Sequence, residues 1–193
     1  MPNVLLVAAT ELELCGRGGL VCGVGPVEAA AATARALAAA EPGTAVLHVG
    51  LAGSDELAPG SLVVGSQAVY DDLVARWPIV ARVPPDPDLV ESALRALPGA
   101  ELLPVRTSAR VDAPRQTTPG TPLVEAMEGF GVLRAAQLAG VPAVEVRVVS
   151  NEVGEEDRER WSVDAALETL GRVLPQLVES IGTTTVRATS RFR

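Results

Sequence analysis

Short runs of Val, Leu and Ala that are apolar at consecutive positions recur along the chain, at residues 4–9, 19–24 and 45–49. A strand with one wet face alternates apolar and polar side chains, so an unbroken run belongs to a strand covered on both faces. Aromatic residues make up only 3% of the chain while 48% is hydrophobic, so Val, Leu and Ala must build the core. Helices supply the cover. Gly25-Pro26 opens an Ala-rich helix over 27–40 that Glu41-Pro42-Gly43 ends. Further helices are expected at 88–97, 128–139 and 164–181, and further strands at 61–70, 101–109 and 143–150. Alternation of this kind predicts an α/β fold: a three-layer sandwich with a central mixed, mostly parallel sheet. Residues 1–181 read as one domain. Residues 182–193, polar, basic and Thr-rich, read as a flexible tail, and the Pro/Thr-rich stretch 112–122 as a mobile loop.

Composition removes several function classes. The formal net charge is −8, which suits neither nucleic acid nor an anionic membrane as partner. All sixteen basic residues are Arg. Without lysine there is no Schiff-base chemistry and no Walker-type phosphate lysine. Cys15 and Cys22 match neither a redox CxxC nor a zinc ribbon, and read as two buried thiols in a reducing cytosol. With a single histidine, no metal site is expected. The start lacks the basic region of a signal peptide, and no apolar run approaches the ~20 residues that span a bilayer. A cytoplasmic protein is expected.

In open α/β sheets, ligands gather at the carboxyl ends of strands. Three unusual segments fall there: Thr10–Glu13, Gly50-Leu51-Ala52-Gly53, and Asn151. Thr10-Glu11-Leu12-Glu13 fits a capping box. Equally, Glu13 at a pocket rim could orient and deprotonate a water. Gly50–Gly53 fits a turn, or a place where a flat base or a sugar approaches the backbone. The turn Gly23-Val24-Gly25-Pro26-Val27-Glu28 lacks the third glycine of a dinucleotide fingerprint, yet its amides could face an anion or a ribose. Glu128 lies between Met127 and Gly129-Phe130, an apolar setting in which a carboxylate needs donors. A ribose diol offers two; a helix N-terminus is the other use. His48, inside an apolar strand, reads as a core histidine. Glu145 and Arg147 share one face of their strand and read as pairing within the fold. Asn151 at a strand end could read a base edge.

The ordered set GVGPVEAA, GLAG, PGSLVVGSQAVYDD, VEAMEG and VPAVEVRVVSN resembles the purine nucleoside phosphorylase and nucleosidase superfamily. It tracks the chain from about residue 4 to 180. MEGF followed by EVRVVSNEVGEEDRERW, with Gly154, Asp157, Arg158 and Trp161, is most similar to the futalosine hydrolase family. The resemblance implies release of hypoxanthine from futalosine, in menaquinone biosynthesis, with no cofactor. It makes Glu13 the activator of water and Glu128 the holder of the ribose hydroxyls, with Met127 beside the sugar. Gly50, Ala52 and Gly53 would meet substrate. Val111, or a residue of a partner subunit, would stand where the family stacks an aromatic ring on the base. Asn151 replaces an aspartate that protonates N7 in methylthioadenosine nucleosidases. An amide can instead accept from N7–H and donate to O6, which suits departing hypoxanthine. The resemblance also implies a purine nucleoside as the small-molecule partner and a homodimer or larger homo-oligomer. Three alternatives stand beside it: a nucleosidase for adenine nucleosides, a phosphorylase using Arg17, Arg106 and Arg110 for phosphate, and a nucleoside-binding protein on a degenerate scaffold.

Overall fold

The structure is a computed structural model that describes residues 3–111 and 120–190, with side chains through residue 184. Among the described residues there are eight strands: β1 (Val4–Ala8), β2 (Leu20–Val21), β3 (Ala45–Ser54), β4 (Leu62–Tyr70), β5 (Arg82–Val83), β6 (Glu101–Thr107), β7 (Val124–Ala126) and β8 (Ala143–Glu152). Four helices accompany them: α1 (Pro26–Leu37), α2 (Pro87–Ala96), α3 (Gly129–Ala139) and α4 (Val163–Ser190). Parallel pairings join β1 to β2, β1 to β3, β3 to β8, β4 to β6 and β6 to β7. Antiparallel pairings join β3 to β7, β4 to β5 and β4 to β8. The sheet is therefore mixed and mostly parallel among the described residues.

It does not lie flat as the middle layer of a sandwich. One edge of β3 changes partner along its length: Ala45–His48 pair with β1, whereas Gly53 and Ser54 pair with β7. The other edge carries β8, whose far edge carries β4. β4 then runs through β6 and β7 back to β3, so β3, β8, β4, β6 and β7 close into a ring. A register shift between Ala52 and Gly53 marks the bend. Ala52, Val63, Val105, Val124, Ala126 and Val149, drawn from all five ring strands, fill the interior. Helices cover the outside on two sides. α2 and α4 pack on Leu47, Val49, Val144, Val146 and Val148. α1 and α3 pack on Val7, Val46 and Ala143. Successive residues of β3 and β8 thus face opposite sides, as period-two strands require. Where α1 crosses α3, a Cβ on Gly131 would overlap the Pro26 carbonyl, so only glycine permits that approach.

Two expected boundaries move. Gly50–Gly53 and Asn151 lie inside β3 and β8 rather than beyond them, because each strand keeps a paired neighbour to its end. α4 continues past Ile181 to Ser190. Gly182 does not stop it, and the Thr183 and Thr184 hydroxyls donate back to the Glu179 and Ser180 carbonyls, as helix-interior hydroxyls do. The expected mobile loop falls mostly at 112–119, outside the described residues. Among the described residues, no helix is long and apolar enough to cross a membrane.

Candidate active site

A cavity of about 260 Å³ opens at the carboxyl ends of β1, β3 and β8. Glu13, Ala52, Gly53, Val111, Met127, Glu128 and Asn151 all line it. Gly50 does not. It lies behind the wall, where an added Cβ would overlap the Arg147 guanidinium and sit 2.7 Å from Glu13 Oε1. The absence of a side chain there makes room for two protein groups, not for substrate.

Glu13 sits in a short 3-10 turn, Leu12–Leu14, that follows β1. Its Oε2 accepts from the Thr10 amide (3.0 Å) and from the Thr10 hydroxyl (2.8 Å). Its Oε1 accepts from the Leu51 amide at 3.0 Å. The back-bond of a capping box is therefore present, and it orients a carboxylate that also forms the cavity wall. The bonds that close the cap also hold the carboxylate at the cavity wall.

Glu128 is 5% exposed and stands immediately before the first turn of α3. Its Oε1 accepts from the Gly25 amide at 3.2 Å, and its Oε2 lies 3.6 Å from Arg147 Nη2. Gly25 adopts φ 98°, a conformation that favours glycine. The GVGP turn thus presents its amide to an anion, and that anion is the protein's own. Burial pushes the Glu128 carboxyl above its usual range, while Arg147 and the Gly25 bond oppose the shift.

Asn151 is tied on both sides. Its Oδ1 accepts from the Ser150 hydroxyl at 2.7 Å, and its Nδ2 donates to the Glu152 carbonyl at 2.9 Å. A carbonyl only accepts, so the amide orientation is fixed. One acceptor site and one N–H remain for a ligand. A Cβ on Gly53 would come within 3.0 Å of Nδ2, so this glycine gives the amide its space.

The rest of the wall is largely apolar: Leu12, Val24, Leu51, Val153 and Leu167. Arg158 lies over the Trp161 ring, 5.2 Å from its centroid, and both line the cavity. Three arginines suggested for a phosphate site do not converge. Arg110 lines the cavity, Arg106 pairs with Asp71 at 3.3 Å, and Arg17 is exposed elsewhere. The sequence did not reveal Ser150, whose hydroxyl donates to Asn151 Oδ1, as a second partner of the amide that the Glu152 carbonyl orients. A hydroxyl next to a candidate amide was the available signal. His48 is a core histidine and Glu145 pairs with Arg147 within the fold, as expected; what the sequence did not reveal is that the three stand directly behind the two carboxylates.

The model of the phosphorylase superfamily matches residues 14–181. The chain belongs to that superfamily. Its resemblance within it is to futalosine hydrolases: that of Streptomyces coelicolor is 40% identical over 186 residues, covering 82% of this chain and 78% of the relative. Two solved superfamily structures share the fold. The futalosine hydrolase of Helicobacter pylori gives a TM-score of 0.78 at 18% identity, covering 91% of this chain and 97% of that one. A 5′-methylthioadenosine/S-adenosylhomocysteine nucleosidase from Colwellia psychrerythraea, in complex with adenine, gives 0.79 at 19% identity, covering 92% and 95%.

Proposed function

We propose that this protein hydrolyses the N-glycosidic bond of futalosine, releasing hypoxanthine and dehypoxanthine futalosine in menaquinone biosynthesis. The observation that carries the site assignment is the convergence of Glu13, Glu128 and Asn151 on one cavity. Each has its remaining hydrogen-bonding capacity free for a ligand of the right chemistry. Glu13 takes a proton from water as the water attacks the anomeric carbon. Glu128 accepts from the ribose hydroxyls, and this interaction strengthens as positive charge develops on the sugar ring. As the bond from the anomeric carbon to N9 breaks, N7 takes a proton from solvent; the free lone pair of Asn151 Oδ1 receives the resulting N7–H, and the free Nδ2 hydrogen meets O6. Met127 and the apolar wall exclude bulk water from the sugar. The logic resembles glycoside hydrolysis, with an amide in place of one of the two carboxyl groups. No step needs a cofactor.

Hydrolysis is favoured over phosphorolysis because phosphate needs several convergent donors, and Arg17 and Arg106 lie away from the cavity. The reading extends to a cytoplasmic homodimer. Leu12 and Val24, exposed by 69% and 57%, lie at the cavity wall and offer an apolar surface to a second copy.

The deciding experiment incubates the protein with futalosine, aminodeoxyfutalosine, methylthioadenosine and inosine, with and without phosphate, and identifies the base released. Hypoxanthine from futalosine without phosphate is expected. An absolute need for phosphate, or release of adenine alone, would sink the assignment.

A further inference from the structure

Behind the cavity wall, His48, Glu145 and Arg147 form a polar cluster in which all three side chains are fully buried. The register of β3 and β8 assembles it: His48 stands opposite Glu145, and Gly50 opposite Arg147, on one face. His48 Nδ1 lies 3.1 Å from the Val7 carbonyl, which can only accept. Nδ1 therefore carries the proton, and the Nε2 lone pair accepts from Arg147 Nη2, with which it is in short contact. On the other side, Arg147 Nε donates to Glu145 Oε1 at 2.7 Å. A guanidinium is planar and rigid, so bonds at Nε and Nη2 fix its plane. What is left of it faces the active site. Nη1 reaches toward the Leu51 carbonyl at 3.4 Å, Nη2 lies 3.6 Å from Glu128 Oε2, and bare Gly50 lets the group stand beside Glu13.

We propose that His48 and Glu145 are positioning residues for the nucleosidase reaction: they aim the single guanidinium of Arg147 at both Glu13 and Glu128. This inference rests on the function proposed above. Neither residue reaches the cavity, so neither touches substrate. Packing alone would be served by apolar side chains of the same volume, since a buried ion pair is seldom more stable than its apolar replacement. Glu145 also keeps Oε2 without a hydrogen-bond partner among the described residues, a cost that the fold does not need.

The charge balance shows what positioning achieves. Arg147 is faced by Glu145 from its own strand, Glu128 from the start of α3 and Glu13 from the turn after β1. His48 from β3 is held neutral, because burial and then Arg147 lower its proton affinity well below the usual value. The Cys22 thiol, which follows β2, is pushed up to about 11 by burial and then by Glu128, and is neutral too. One cation therefore serves three carboxylates. If it swings away, Glu128 loses the charge that opposes its desolvation and holds a proton to higher pH.

The test compares H48L, which removes the acceptor, with H48Q, whose amide oxygen restores it near the Nε2 position. For folded H48L, kcat should fall by about 10- to 100-fold, KM should rise because Glu128 loses the same support, and the acid limb of the kcat profile should move to higher pH. H48Q should recover most of kcat and return the limb. A folded H48L with the wild-type rate and profile overturns the inference, as does an H48Q no better than H48L. His48 is the only histidine in the chain, so ¹⁵N-histidine NMR of the unmodified protein gives a second readout that does not depend on variant folding. Its ring should remain neutral with hydrogen on Nδ1 between about pH 5 and 8. The Nε2 resonance should move when a cationic nucleoside analogue of the transition state binds. A ring that titrates near 6.5, or a resonance unmoved by the bound analogue, overturns it. If the wild type releases no base from any nucleoside, the proposed function itself fails. If it does release base while folded H48L is unaffected, only the positioning role fails.

Discussion

Replacing Glu13 with Gln removes a charge and puts an N–H₂ group where the carboxylate has an oxygen. All three bonds that hold this side chain come from donors: the Thr10 amide, the Thr10 hydroxyl and the Leu51 amide. If the new N–H₂ faces Leu51, it opposes a backbone N–H. If it faces Thr10, the hydroxyl can rotate and accept, but the Thr10 amide is then opposed. In either orientation one backbone donor loses its partner, at a cost of about 1–3 kcal/mol. The lower end applies, because the Thr10 bond is only partly buried. For a chain of this size the loss lowers Tm by about 2–4 °C per kcal/mol. Turnover should fall much further, by roughly 10²- to 10⁴-fold, the usual contribution of a positioned acid or base. Stopped-time assays of hypoxanthine release, paired with calorimetric melting, separate the two effects. A Glu13→Gln protein with a lowered Tm and near-normal turnover would show that the carboxylate only caps its turn.

Three further outcomes are expected. Glu128→Gln should weaken nucleoside binding and turnover together while leaving free hypoxanthine binding nearly unchanged in calorimetry; equal weakening of both ligands would place Glu128 away from the ribose. Asn151→Asp sets a carboxyl oxygen against the Glu152 carbonyl now bonded by Nδ2, which favours a protonated acid. The ratio of kcat/KM for adenine over hypoxanthine nucleosides should therefore rise, and an equal slowing of both would remove Asn151 from the base edge. His48 gives a stability signature. Its folded proton affinity is depressed, so the unfolded chain binds the extra proton below about pH 6.5 and stability is lost as pH falls through that range, at up to about 1.4 kcal/mol per pH unit. Glu128 and Glu145 are shifted upward by burial and act in the opposite sense nearer their own range. Denaturation at several pH values, as a wild-type minus H48Q difference, isolates the histidine; a difference independent of pH would mean that His48 binds its proton equally well in the folded and unfolded chain.

Much of this arrangement was legible from residue patterns. The unbroken apolar runs at 4–9 and 45–49 located the buried strands β1 and β3, and Gly25-Pro26 located the start of α1. The run at 19–24 forms only β2, a two-residue edge strand with Val21 exposed. Glu13 stood out as the last residue of a capping box after the first strand, and Glu128 as a carboxylate that needs donors in an apolar setting; the structure supplies donors from Thr10 and Leu51 to the first and from Gly25 to the second. Ring closure was not legible. It depends on one edge of β3 being shared by β1 and β7, and β7 is only three residues long, too short to show a period. The segment Gly50–Gly53 looked like a turn because its small side chains carry no strand preference. Its strand character comes from pairing with β8 along its whole length and with β7 at Gly53, a property of neighbours rather than of local composition. The link from His48 to Arg147 was hidden for a similar reason. It spans 99 positions in the chain, and the alternation of each strand places its own residues on a face without saying which strand lies beside it.

The buried cluster also bears on how the chain folds. Its parts come from β1 through the Val7 carbonyl, from β3 through His48, from β8 through Glu145 and Arg147, and from the start of α3 through Glu128. A partly assembled intermediate that docked β8 without β3 would leave Arg147 Nη2 without its His48 acceptor, and one without the start of α3 would leave it without Glu128, at about 1–3 kcal/mol for a buried donor left unsatisfied. Compact states missing any one of these elements are thereby disfavoured, and segments far apart in the chain are driven to assemble together. The residues proposed to set the chemistry therefore also act as a latch on cooperativity, tying β1, β3, β8 and the start of α3 together.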